Sequence, residues 1–219
     1  MKFKTTTADR LHEQLIEIVS EGMEHRRVFD MFLDWMVDLV SGPEQGMAER
    51  MRHYDLKAQC TESVQKKFEF ARNLCFVGML DEKADVLGDY FETCGFGDKT
   101  RGQVFTPAHL CDLVVEQVLG AASEPAQQRI CDPCCGSGRF LLAAGKRDPD
   151  ALFIGIEIDN MLARVTAINL VVNALKGLVI CANLFDITPG PLTNCTFDVA
   201  YEVGMPERGF IKTIEPRLR

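Results

Sequence analysis

Residues 131–144 read CDPCCGSGRFLLAA. The short β-rich run QRICD ends at Asp132, Gly136 and Gly138 flank a serine, and an apolar helical run opens at Arg139. A strand, a glycine turn and a helix, in that order, set backbone N–H groups at a helix start where a ligand can approach the chain closely.

Several loops share this outline. A phosphate-binding P-loop needs Lys and then Ser or Thr after its last glycine, whereas Arg139 and Phe140 follow here. A dinucleotide fingerprint wants a third small residue three positions after Gly138, and Leu141 stands there. Cys131 and Cys134 have the spacing of half a zinc site, but no second pair matches. None of the four histidines lies near them in sequence, so no metal ligand is assigned. A further reading is S-adenosylmethionine, which carries no phosphate. It needs a close backbone turn and an acid for its ribose diol. Glu157 closes the run FIGIE about twenty residues beyond the loop, where a ribose-binding acid belongs. The competing reading of Glu157 is a solvated acid at a strand end.

Working outward, strands and helices alternate after residue 98. ALFIGIEID, LVICAN and FDVAYEV read as strands, and SGRFLLAAGKR and NMLARVTAINLVVNALKG as helices. This alternation predicts an α/β fold with a parallel, doubly wound sheet, of the partial Rossmann-like kind. Residues 1–98 instead carry helical periodicity and predict a helical N-terminal domain before an α/β domain at 99–219. Leu11, Leu15 and Ile18 share one face of a helix that stops at Gly22. Val28, Phe32, Trp35, Met36 and Leu39 share another, with Gly42 and Pro43 as its stop. Val64, Phe68, Ala71 and Cys75 form a third stripe. Val86, Leu87, Tyr90 and Phe91 form a fourth, with Asp81 expected as N-cap and Gly95 as C-cap. These stripes read as core.

The 219 residues are 47% apolar and 26% charged, which suits a globular chain with a real core. No signal peptide or membrane-spanning run is evident. Nine cysteines, an odd number scattered through core-like segments, read as reduced thiols in a cytoplasmic protein. A net charge of -8 argues against gripping nucleic acid by charge alone and points to a partner subunit for any DNA contact.

Five motifs occur in order: DVLGDYFE, RGQVFTP, DPCCGSGRFL, GIEIDNMLARVTAINL and ANLFD. Together they resemble the N6-adenine DNA methyltransferases, and among these the modification subunits of type I restriction–modification systems. The resemblance covers roughly Asp85 to Val203, and the helical front is similar in kind. It implies S-adenosylmethionine as cofactor and DNA as substrate. The partner would be a specificity subunit, a second modification subunit or a second copy. It also implies site roles. Phe105, Thr106 and Pro107 would close over the methionine end. Asp132, Pro133, Gly136 and Gly138 would form the cofactor loop, with Asp132 toward the methionine amino group. Glu157 would hold the ribose and Ile158 would pack on adenine. Asn183 or Asp186 would accept from the adenine amine, with Leu184 and Phe185 along its face; a turn asparagine and ordinary core remain equal readings.

The family places an Asn-Pro-Pro-aromatic loop after its fourth strand. Its acceptors take the hydrogens of the adenine amine and aim the nitrogen lone pair at the methyl group. The Asn is expected near Val203, where this chain reads EVGMPERGF. Val203 has no side-chain acceptor, and Gly204 and Met205 replace the prolines. Glu202 and Asn194 are displaced acceptors, so the catalytic residue is left unassigned. Only four strands are read, the tail ERGFIKTIEPRLR shows no period, and the chain looks truncated after the fourth strand. A bare fourth strand is therefore expected to need cover from the helical domain, a second copy or a partner. The alternatives to an active methyltransferase are a catalytically deficient regulatory relative, and a helical interaction module whose α/β half is only structural.

Overall fold

The structure, a computed structural model, describes residues 6–41, 55, 57–97, 103–120, 128–186, 199–204 and 211–214. The expected stop at Gly42 and Pro43, the displaced acceptor Asn194 and the expected 98/99 domain boundary lie outside the described residues.

Four helices of the front half start at a side chain that satisfies free backbone N–H groups. Thr6 and Asp9 form a reciprocal capping box at α1 (Thr7–Val19). Glu24 accepts from Arg26 and Arg27 N–H at α2 (His25–Val40). Thr61 accepts from Val64 N–H at α3 (Glu62–Glu82). Asp85 accepts from Gly88 N–H at α4 (Val86–Thr93). Asp81 therefore lies inside α3 and is not a cap. Four residues further on, Asp85 does that work, and Gly95 follows the C-cap Cys94 with φ +65°.

The expected stripes of α1, α3 and α4 are buried. In α2 the burial is wider: Phe29, Met31 and Leu33 join Val28, Phe32, Trp35 and Met36, while Leu39 stays half-exposed. The reason is packing on several sides, since α2 contacts α1, α3 and the α/β half.

That half runs α5 (Ala108–Leu119), β1 (Arg129–Asp132), α6 (Arg139–Arg147), β2 (Leu152–Glu157), α7 (Asn160–Val172), β3 (Lys176–Cys181), a 3₁₀ turn (Leu184–Asp186), β4 (Val199–Val203) and β5 (Ile211–Ile214). The fold class is α/β with a helical front, as expected. The sheet order is β1-β2-β3-β4-β5, with β1, β2 and β3 parallel. β1, β2 and β3 step in one direction across the sheet, and α6 and α7 touch one another. Residues 161–170 of α7 are all buried, because the helix lies between the sheet and α2. Arg164 fastens that contact, donating to Asp34 Oδ1 at 2.6 Å and pairing with the Asp30 carboxylate.

The expectation of a parallel sheet fails at its fourth strand. β4 runs antiparallel to β3, pairing Val203 with Gly177 and Val199 with Cys181. An alternating strand pattern fixes which face is buried but not which way the strand runs. The tail also holds a strand: β5 pairs with β4, Ile211 opposite Val203. The fourth strand is thus covered by the chain itself, and the sheet's edges are β1 and β5. No described helix is long and apolar enough to cross a membrane.

Candidate functional site

The glycine turn follows β1. Gly136 and Gly138 have φ +55° and +87°, a left-handed region that side chains disfavour. Below the turn, Thr166 Oγ1 donates to Gly136 O at 2.7 Å and Asn169 Nδ2 to Ser137 O at 2.8 Å. A Cβ on Gly138 would sit 3.0 Å from Thr166 Cγ2, so the backbone rests directly on α7. From the side, Asp85 accepts from Ser137 Oγ (2.5 Å), Arg139 Nε (2.8 Å) and Asn169 Nδ2 (2.7 Å). Burial raises the Asp85 pKa against these donors. Arg139 also pairs with Asp89 at 2.7 Å. Burial works against the Arg139 charge, but its acidic neighbours outweigh it and raise the pKa.

Asp85, Ser137, Arg139, Thr166 and Asn169 carry the loop yet were not among the site residues read from the sequence. The available signal was polar residues set inside apolar helices, Thr166 and Asn169 above all, since such residues are buried only with partners.

Two acids face the loop. Glu157 ends β2 and is almost fully buried. Its Oε2 accepts from Gly136 N–H at 2.8 Å and its Oε1 from Asp159 N–H at 2.9 Å. Burial raises its pKa, and these N–H bonds pull the other way. It is therefore no solvated strand-end acid. Asp132 Oδ1 accepts from Cys134 N–H at 3.1 Å. Its Oδ2 is buried with no hydrogen-bond partner among the described residues, and burial raises the pKa of the group. An orphaned buried carboxylate oxygen is costly unless a ligand donor meets it.

The other expected residues gather unevenly. Phe105 packs on the loop: a Cβ on Gly136 would lie 3.4 Å from its ring. The Arg139 guanidinium lies 5.0 Å from the centre of the same ring, and Arg139 Nη1 donates to Thr106 O at 3.4 Å. Pro107 precedes α5 and is exposed. Pro133 and Asp132 line a groove of about 200 Å³ beside Val114, Val118 and Phe140. Ile158 and Leu184 follow the neighbouring ends of β2 and β3 and are both partly exposed, and Phe185 is 93% exposed. Asn183 Oδ1 accepts from Phe185 N–H at 3.2 Å, which is the role of a turn asparagine. Asp186 closes the 3₁₀ turn; its side chain lies outside the described residues.

The unfilled position where the family's Asn was expected, near Val203, lies away from the glycine turn. Val203 is fully buried, and it pairs with Gly177 near the start of β3. The ends beside the glycine turn, Glu157 and Cys181, lie at the other end of the sheet. Reversal of β4 puts its last residues, Val203 and Gly204, at the end of the sheet away from the glycine turn, and Gly204 is pressed so close to Leu175 O that a Cβ would lie 2.9 Å from it.

A strand, a left-handed glycine turn on a helix start, and an acid ending the next strand stand together at one end of the sheet. Residues 82–185 match the family model described as N-6 DNA Methylase. Over 91 residues the chain is 37% identical to the type II methyltransferase M.XamI of Xanthomonas campestris pv. amaranthicola. That match covers 42% of this chain and 16% of that protein. No solved structure matches significantly. Across the matched segment the chain is similar to N6-adenine DNA methyltransferases, and it spans only a small part of the length of the relative it matches.

Proposed function

We propose that the chain binds S-adenosylmethionine in the glycine turn and serves as the cofactor-holding part of an N6-adenine DNA methyltransferase of the restriction–modification kind. The observation that carries this is Asp132 Oδ2, a buried acceptor without a partner among the described residues, beside a left-handed turn. The cofactor offers what that oxygen lacks: a cationic amino group. When bound, it supplies an electrophilic methyl on sulfur.

The residues then divide the work. Asp132 holds the amino group through a charge-assisted hydrogen bond. Gly136 and Gly138 admit the ligand to the backbone. Glu157 keeps lone pairs for the ribose hydroxyls beyond its two N–H bonds, and Ile158 and Leu184 offer apolar surface to the adenine. Phe105 and Thr106 cover the methionine end. Asn183 already serves its own turn, so it is a weaker adenine contact than the sequence suggested.

Methyl transfer also needs acceptors for the target amine, and among the described residues β4 brings none to this end of the sheet. We infer that the chain by itself binds cofactor without methylating DNA. A partner subunit or second copy completes the site and supplies the basic surface that a net charge of -8 denies it. The eight cysteines among the described residues are free thiols, which suits a reducing, cytoplasmic setting.

The test is thermal unfolding with increasing S-adenosylmethionine, alongside NAD and ATP. The account expects a midpoint that climbs by mass action with the methyl donor and stays fixed with the other two. A rise with ATP instead would overturn it. A methylation assay on adenine-containing DNA checks the second half: signal from the purified chain alone would refute the need for a partner.

A further inference from the structure

The front half holds a second cluster, on the far end of α4 from Asp85. His12 of α1, His25 at the first turn of α2 and Cys94 at the C-cap of α4 bring three ligand atoms within 4.8 Å of one another. All three residues are partly buried. His12 Nδ1 and Cys94 Sγ lie 3.6 Å apart. Zinc–nitrogen and zinc–sulfur bonds of their usual lengths, set at the tetrahedral angle, put N and S about 3.6 Å apart. Tyr90 Oη is hydrogen-bonded to His25 Nε2 at 2.8 Å. A cavity of about 260 Å³ lined by Asp9, His12, Glu13 and Tyr90 opens beside the cluster.

We propose that His12, His25 and Cys94 form a zinc site, with water from this cavity in the fourth position. Two imidazoles and a thiolate suit Zn²⁺, while hard cations prefer oxygen. Binding requires the Cys94 thiol to lose its proton to solvent, and His25 to exchange its Tyr90 hydrogen bond for the metal. Tyr90 then remains as an outer partner that orients the ligands. Without metal the four side chains satisfy one another as two hydrogen-bonded pairs, so the site tolerates being empty. With metal it ties α1, α2 and α4 together, a clip on the helices that back the glycine turn.

The experiment uses the full chain, stripped with chelator and titrated with Zn²⁺. Cobalt then serves as a spectroscopic probe, and metal content is read after gel filtration. The expected result is one retained Zn²⁺ per chain and a thiolate-to-cobalt charge-transfer band. The unfolding midpoint should also rise by several degrees. Cys94→Ser and His12→Ala should each weaken binding roughly tenfold or more. Both should unfold like the stripped parent when chelator is present, which separates ligand loss from misfolding. Cys131→Ser, in the exposed cysteine pair, should leave binding unchanged. Absence of stoichiometric metal, or loss of binding in Cys131→Ser with retention in Cys94→Ser, would overturn the assignment.

Discussion

At Asp132 and Glu157, burial and recognition pull in opposite directions. Both carboxyls have pKa values raised by burial. A folded-state pKa above the unfolded one means the folded chain binds protons more readily. These two groups therefore favour the fold at acid pH, and that contribution is lost as pH rises through the raised values. Cofactor binding has the opposite sign, because the ribose diol and the amino group need ionised acceptors. Acidification is thus predicted to weaken S-adenosylmethionine binding at a higher pH than ordinary carboxylates would allow. These two groups should not lower the unfolding midpoint over that same interval. Calorimetric affinities and melting curves across one pH series check the pair of trends. An Asp132→Asn variant should bind the cofactor at least about tenfold more weakly, the cost of one charge-assisted bond, yet melt no lower than the parent.

This site was legible in the sequence where local rules govern it. A glycine pair after a strand and an acid at the end of the next strand are short-range patterns, and both fall where expected. Asp85 was not legible as a loop anchor. Its N-cap role is local, but its bonds to Ser137, Arg139 and Asn169 cross more than fifty residues. His12, His25 and Cys94 were missed for the same reason, as no motif spacing joins them.

Among the elements, the turn between β1 and α6 carries the sharpest constraint. Gly138→Ala would force a side chain into φ +87° with a contact at 3.0 Å to Thr166, whereas Gly136→Ala meets Phe105 at an ordinary 3.4 Å and φ +55°. The first should cost about 2–3 kcal/mol of stability and the second about 1 kcal/mol, read from chemical denaturation. Asp85→Ala should be more severe, about 3–5 kcal/mol, because it strands the Arg139 guanidinium and leaves Asn169 and Ser137 without a shared acceptor. Equal losses for the two glycine variants would mean the turn does not rest on α7. Strand identity was readable from β-rich runs, but strand direction was not. The run VAYEV alternates equally well in either sense, and IKTI at the tail was too short to show a period.

Over the whole molecule, the helical front and the α/β half share one core. Leu33, Trp35 and Phe68 belong to the same buried cluster as Phe153, Ile168 and Val179. The front is therefore part of the platform under the loop, held at α7 by Arg164 between Asp30 and Asp34. This explains why the match to the methylase family begins at residue 82, in the helical front, before the first strand. It also places the departure from the family. The glycine turn and Glu157 stand at one end of the sheet, while the strand expected to bring the adenine acceptors turns back along β3.

The central claim is that the glycine turn holds a methyl-donor cofactor. Calorimetric titration of the purified chain with S-adenosylmethionine, beside Glu157→Ala, tests it most directly. The account predicts one-site binding by the parent and strong weakening in the variant, which should remain folded by circular dichroism. No heat of binding from the folded parent, or equal affinity in the folded variant, would contradict it.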